Sequence, residues 1–178
     1  MDKIPQVRRS GIPLDDRKRD LSIVTPDDTD APHLGIVGDT YTILLSGKET
    51  RGHYCLIDML VPPGGGPGLH RHDFEEMFSV LEGEIELTFR GEKVLAKAGA
   101  TVNIPANAPH FFKNTAARSA RLLCVCTPAG QEEFFMALGT CVESRTSPPP
   151  KQNKVEQESF LRKAKELAPR YRTELLGP

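Results

Sequence analysis

The chain has 178 residues, 38% of them hydrophobic, with 23 Lys+Arg against 24 Asp+Glu; this suits one sizeable core and argues against a second independent domain. No basic stripe with interleaved aromatics occurs, which makes nucleic acid a poor partner, and no apolar run approaches the roughly 18 residues of a membrane span. The opening Met1-Asp2-Lys3-Ile4-Pro5 carries neither an apolar run nor a small-residue cleavage site, so the cytoplasm is the default location.

Residues 1–35 are polar and punctuated by Pro5, Pro13, Pro26 and Pro32, and read as a solvated arm. Leu21-Ser22-Ile23-Val24 is its candidate edge strand, since sheet edges accept such arms. From 36 to 128 short apolar or alternating runs are separated by Gly, Pro and Asn turns, which predicts an all-β barrel or sandwich. The expected strands are Tyr41–Leu45, His53–Val61, Glu76–Leu81, Glu84–Phe89, Lys93–Ala96, Thr101–Ile104, His110–Lys113 and Ala120–Cys126. Within 84–89, Ile85, Leu87 and Phe89 alternate with Glu84, Glu86 and Thr88, and Arg90-Gly91-Glu92 reads as a hairpin turn. Residues 129–178 form a helical extension, with one helix at Gln131–Leu138 and another over 154–168 that ends before Pro169. Val155, Phe160, Leu161, Ala164, Leu167 and Ala168 give the second helix an apolar stripe for packing. Cys55, Cys124, Cys126 and Cys141 form no C-x-x-C pair and read as reduced, small buried hydrophobes.

Two stretches carry chemistry. In the first, Gly64 to Glu76, the residues His70, His72 and Glu76 share strand parity, so an extended chain aims all three to one side. Two imidazoles and a carboxylate suit a borderline divalent metal. Glu75 is the competing carboxylate, and its parity is wrong. In the second, Gly99 to Asn114, His110 opens an apolar strand after a Pro-framed turn. Alone it reads as a hydrogen-bonded core histidine; beside a three-ligand run it becomes the candidate fourth ligand.

Both stretches resemble the two signature motifs of the cupin superfamily. Gly64, His70, His72, Glu76 and Gly83 fit the first, G-x5-H-x-H-x3,4-E-x6-G, at its shorter spacing. Gly99, Pro105, His110 and Asn114 fit the second, G-x5-P-x-G-x2-H-x3-N, with Asn107 where the family usually has Gly. Asn also tolerates φ > 0, so the turn is expected to survive. The resemblance implies a double-stranded β-helix, or jelly-roll, barrel with C-terminal helices. It also implies one divalent ion per subunit (Fe, Mn, Ni, Co, Cu or Zn) on His70, His72, Glu76 and His110, and a homodimer.

The chain is further similar to single-domain bacterial cupins described as quercetin 2,3-dioxygenase-like. That likeness rests on Val61–Pro67, Glu75–Gly83, Pro128–Phe135 and the closing Leu167–Pro178. It implies a metal-dependent dioxygenase acting on a small, apolar or aromatic molecule. A metal-dependent isomerase, lyase or decarboxylase and a non-catalytic binding module are the alternatives. Glu76 is the candidate base as well as a ligand, and His53 is a second candidate acid–base residue. Tyr41, His53, Tyr54, Phe78, Phe89, Phe112 and Cys124 are candidate pocket residues, and Glu75 is a candidate for orienting a ligand.

Overall fold

The computed structural model describes residues 11–177, so the first ten residues of the arm lie outside the described residues. In chain order the strands are β1 (His33–Ile36), β2 (Asp39–Leu45), β3 (Cys55–Val61), β4 (His70–His72), β5 (Glu75–Glu82) and β6 (Glu84–Phe89). They continue as β7 (Glu92–Lys97), β8 (Thr101–Ile104), β9 (His110–Lys113), β10 (Ala120–Thr127), β11 (Thr140–Cys141) and β12 (Thr173–Leu175). The helices are α1 (Gly47–Thr50), α2 (Gln131–Leu138) and α3 (Lys154–Leu167), followed by a 3-10 turn at Ala168–Tyr171. Among the described residues no helix is long and apolar enough to cross a membrane.

The strands build two antiparallel sheets in the jelly-roll manner of a cupin. One has the order β11-β1-β2-β3-β10-β5-β8 and the other β12-β4-β9-β6-β7. Alternation explains the core between them, because every second residue faces inward. Leu122, Cys124 and Cys126 of β10 are buried, as are Cys55, Ile57, Met59 and Val61 of β3. Phe78 of β5 meets Phe112 of β9 edge-on across the sheets, with ring centroids 5.3 Å apart. On β6, Ile85 and Leu87 are buried and Phe89 is half-buried; Thr88, expected to face outward, is buried too. Arg90 and Gly91 make a two-residue hairpin turn with positive φ at both positions, 51° and 90°. That is the turn whose twist matches its flanking strands.

Three expectations need correction. Leu21–Val24 forms no strand, and Leu21 and Ile23 are exposed. The edge is occupied instead by β1 and β11, paired through Leu34↔Cys141. Cys141 is exposed on that two-residue strand, while the other three cysteines are buried. The stripe on α3 is only partly covered: Ala164 and Ala168 are buried, but Val155 and Leu161 are exposed.

Glycines tie the two motif stretches together. Gly64 N–H donates to the Asn114 carbonyl at 2.7 Å, and Asn114 N–H to the Gly65 carbonyl at 3.0 Å. Gly66 has φ 122°, and a Cβ there would collide with the Phe112 carbonyl. Gly91 also has positive φ, but open space surrounds it. Gly66→Ala is therefore expected to cost about 3 kcal/mol or more, and Gly91→Ala about 1 kcal/mol from backbone strain alone. Paired urea unfolding curves check this, and equal losses would contradict the close approach.

Candidate metal centre

His70 and His72 lie on the three-residue β4, buried, with Arg71 between them exposed. Glu76 lies on β5, in the opposite sheet. The chain crosses from one sheet to the other within Asp73-Phe74, so the three side chains do not share the face of one strand. Parity picked the carboxylate that meets the histidines, but convergence comes from sheets that face each other. His110 sits on β9 directly opposite His70. His70, His72, Glu76 and His110 bring one candidate ligand atom each within 4.8 Å of one another, all four buried.

Each imidazole is held by a backbone carbonyl two residues away. His70 Nδ1 is 2.8 Å from Gly68 O, His72 Nδ1 2.9 Å from Phe74 O, and His110 Nδ1 2.9 Å from Ala108 O. A carbonyl can only accept, so each Nδ1 carries a proton, and in the neutral imidazole each Nε2 keeps its lone pair. The Nε2 atoms of His72 and His110 both lie 3.1 Å from Glu76 Oε2. Lone pairs facing a carboxylate without a shared hydrogen repel, unless a proton or a cation sits among them. Ligands about 2.1 Å from one ion at right angles are about 3.0 Å apart, so the spacing fits a divalent ion.

Without an ion, a proton shared with Glu76 eases the repulsion. Burial pushes the His70 pKa down to about 4, helped by nearby His110. Burial opposes charge on His72 as well, but the hydrogen-bonded Glu76 carboxylate outweighs it and its pKa rises. Glu76 is desolvated, which favours its neutral form; His110 and His72 override this and hold its pKa well below the ordinary value.

Neighbouring residues fix the frame. Asn107 takes φ 68°, as its position in the second motif predicts, and its N–H donates to the His72 carbonyl at 2.6 Å. Asn114 is fully buried, and its side-chain amide donates to Val61 O and Arg118 O. The C-terminal β12 pairs with β4 in the register Thr173↔His72 and Leu175↔His70. Arg172 then clamps the sheet crossing through Asp73 Oδ1 at 2.6 Å. The sequence offered no periodic signal for so short a strand.

A cavity of about 370 Å³ opens beside the cluster, lined by His70 and Glu76 at one end. Tyr41, Phe78 and Phe112 line it from the barrel, and Phe134, Phe135 and Phe160 close it from α2 and α3. His53 does not line it; it is exposed in the turn before β3. Tyr54 is exposed as well, and Phe89 packs at the margin of the core under Arg90. Glu75 is exposed and accepts from Asn103 Nδ2 and Ala106 N–H, so it braces the loop before β9 and orients no ligand.

Asp39 is a site residue the sequence reading missed. It is fully buried, and its carboxylate accepts from Tyr41 OH at 3.0 Å and Gly66 N–H at 3.2 Å. An Asp at a strand start looks like a turn residue, and only the fold reveals its burial.

Residues 57–126 match the family model for the cupin domain. The chain is 28% identical over 124 residues to quercetin 2,3-dioxygenase of Bacillus subtilis, covering 69% of this chain and 36% of that protein. It is 32% identical over 112 residues to the HTH-type transcriptional regulator PuuR of Escherichia coli, covering 62% and 60%. The chain thus spans less than two thirds of the length of these curated relatives. Its fold is similar to a predicted oxalate decarboxylase from Thermotoga maritima (TM-score 0.54, 24% identity, 60% of this chain and 99% of that one). It is also similar to the polyketide cyclase RemF from Streptomyces resistomycificus (TM-score 0.53, 20% identity, 79% and 93%).

Two outcomes follow from the site. Co(II) or Ni(II) should raise the melting temperature of the wild-type chain, by the equivalent of about 2.7 kcal/mol at a free ion concentration 100 times Kd. His110→Ala should abolish that gain, and Glu75→Gln should leave it intact; differential scanning fluorimetry reads all three. The second outcome concerns pH. Burial raises the Asp39 pKa from 3.8 to about 7, against the hydrogen bonds from Tyr41 and Gly66. The folded chain then keeps a proton that the unfolded chain releases, so this group's contribution to stability falls as pH rises from about 4 to 7. Asp39→Asn should gain stability relative to wild type across that window and no further above it. A difference that stays flat with pH would contradict the raised pKa.

Proposed function

We propose that this cupin domain holds one divalent metal ion on His70, His72, Glu76 and His110 and acts as an oxygenase on a small apolar or aromatic molecule bound in the adjoining cavity. The observation that carries this reading is the meeting of an electron-rich donor cluster with an apolar chamber at His70 and Glu76. The likeness to a quercetin 2,3-dioxygenase supports the choice of reaction class.

When bound, the ion supplies Lewis acidity and, for a redox-active metal, one-electron chemistry with dioxygen. The chain supplies the rest. The carbonyls of Gly68, Phe74 and Ala108 lock the imidazoles with Nε2 inward. Four protein ligands leave positions open on a five- or six-coordinate ion. Of the four, His70 and Glu76 line the chamber, so a substrate approaches from their side. The aromatic walls exclude water and favour an apolar ligand. The Glu76 carboxylate is the one carboxylate among the cavity-lining residues, which makes it the candidate to accept a substrate proton.

Anaerobic loading with Fe(II), followed by oxygen-electrode assays over a phenolic panel, tests the reading. Oxygen uptake is expected in the wild-type chain and should be lost in His72→Ala. Turnover that persists without oxygen selects an isomerase, lyase or decarboxylase instead. The likeness to PuuR supports a further reading, a ligand-binding module without turnover. That reading requires thermal stabilisation by a panel compound with no product formed. A homodimer belongs to the same proposal, since Ile12, Leu14, Leu21 and Ile23 expose apolar surface on the arm. A light-scattering mass near 19.6 kDa would count against it.

A further inference from the structure

Two of the four cysteines lie against the candidate ligand Glu76, with a third beside them. Cys124 and Cys126 follow each other on the inner face of β10, and Cys55 lies opposite Cys126 on β3. All three are buried. The two oxygens of Glu76 face different neighbours. Oε2 points at His72 and His110. Oε1 points away from them, 3.5 Å from Cys124 Sγ and 3.8 Å from Cys126 Sγ. The Sγ atoms are themselves 3.7 Å apart.

A carboxylate oxygen buried in an apolar core needs a donor. Among the described residues, Oε1 accepts hydrogen bonds from these two thiols alone. A thiol is a weak donor, but one facing an ionised acceptor in a dry site is strengthened by the charge. Small apolar residues at 124 and 126 would fill the same space equally well, yet they would leave Oε1 without a partner. The reading of these cysteines as inert hydrophobes is then incomplete.

We propose that Cys124 and Cys126 are positioning residues: their S–H groups engage Oε1 of Glu76, hold the carboxylate as a one-oxygen ligand through Oε2, and so keep a coordination position open toward the cavity. This rests on the metal-centre reading above. Rotation of Glu76 about its last torsion would otherwise bring both oxygens to the ion, since a terminal carboxylate torsion is soft. A two-oxygen grip would fill a position that the chemistry needs.

The test compares wild type, Cys124→Ala, Cys124→Ser and Cys126→Ala, each checked for native circular dichroism and loaded with Co(II). Visible absorption reports the coordination number, and titration reports affinity. The alanine variants are expected to dim the visible bands, as coordination number rises, and to lose about 10- to 100-fold in Co(II) affinity. Cys124→Ser keeps a donor and should restore both. A wild-type chain that takes up no Co(II) overturns the metal-centre reading and this one with it. Co(II) bound identically in wild type and both alanine variants overturns only the role of the thiols, as does a serine variant that behaves like alanine. A metal-free readout stands beside these. The infrared S–H stretch of the apo protein should lie below the free-thiol position and move toward it in Glu76→Gln; a band already at the free position overturns the proposal.

Discussion

The centre of this barrel depends on an electrostatic constraint. Four donor groups are buried together, and in neutral imidazoles the backbone takes the ring protons that would otherwise face the carboxylate. The carbonyls of Gly68, Phe74 and Ala108 take the Nδ1 hydrogens, so the Nε2 lone pairs confront the Glu76 carboxylate. In water such an arrangement would relax by rotation or by solvent. Here His110 is fully buried and Glu76 nearly so, and neither escape exists. Positive charge has to enter among these groups, as a proton on His72, whose pKa Glu76 raises, or as a cation that takes the proton's place.

Much of the remaining architecture holds that arrangement in place. A three-residue strand bearing two histidines would be a weak element by itself. It is gripped on one side by β9 through His70↔His110, and on the other by β12. Arg172 closes the grip at Asp73, where the chain changes sheets. The glycine loop from 64 to 66 can approach β9 closely because it carries no side chains there, and Asn114 binds it from the other motif. The two motifs are thus parts of one hydrogen-bonded unit, although about 20 residues of hairpin separate them in sequence.

The cavity shows a different division of labour. The barrel contributes its floor, with His70, Glu76, Phe78 and Phe112. The C-terminal helices contribute its roof, with Phe134, Phe135 and Phe160. Tyr41 joins the two, because its ring lies 5.0 Å from that of Phe135 while its hydroxyl is bound by buried Asp39. The barrel supplies the donors, and the extension supplies the apolar wall of the cavity beside them. Exposed Leu161 of α3 also lines this chamber, so its incomplete apolar stripe faces the cavity as well as the barrel.

Local sequence determined a good deal here. Alternation and turn residues located most of the strands, because side-chain period and φ preference are local properties. Spacing selected Glu76 over Glu75 and nominated His110. Asn107 was read correctly as a positive-φ substitute for glycine, again from local stereochemistry. The tertiary structure decided what depends on residues distant in sequence. It placed Glu76 on the sheet opposite β4, so that the ligands converge across the core and not along one strand. It moved His53 out to the surface, buried Asp39, left Leu21–Val24 unpaired, and used the tail at Thr173–Leu175 as a strand. It also set two thiols against a carboxylate. Strand pairing and burial are set by packing between distant segments, and no local pattern encodes them. For the four residues suited to a metal, the sequence supplied the ligand types, and the folded sheets alone supplied their common point.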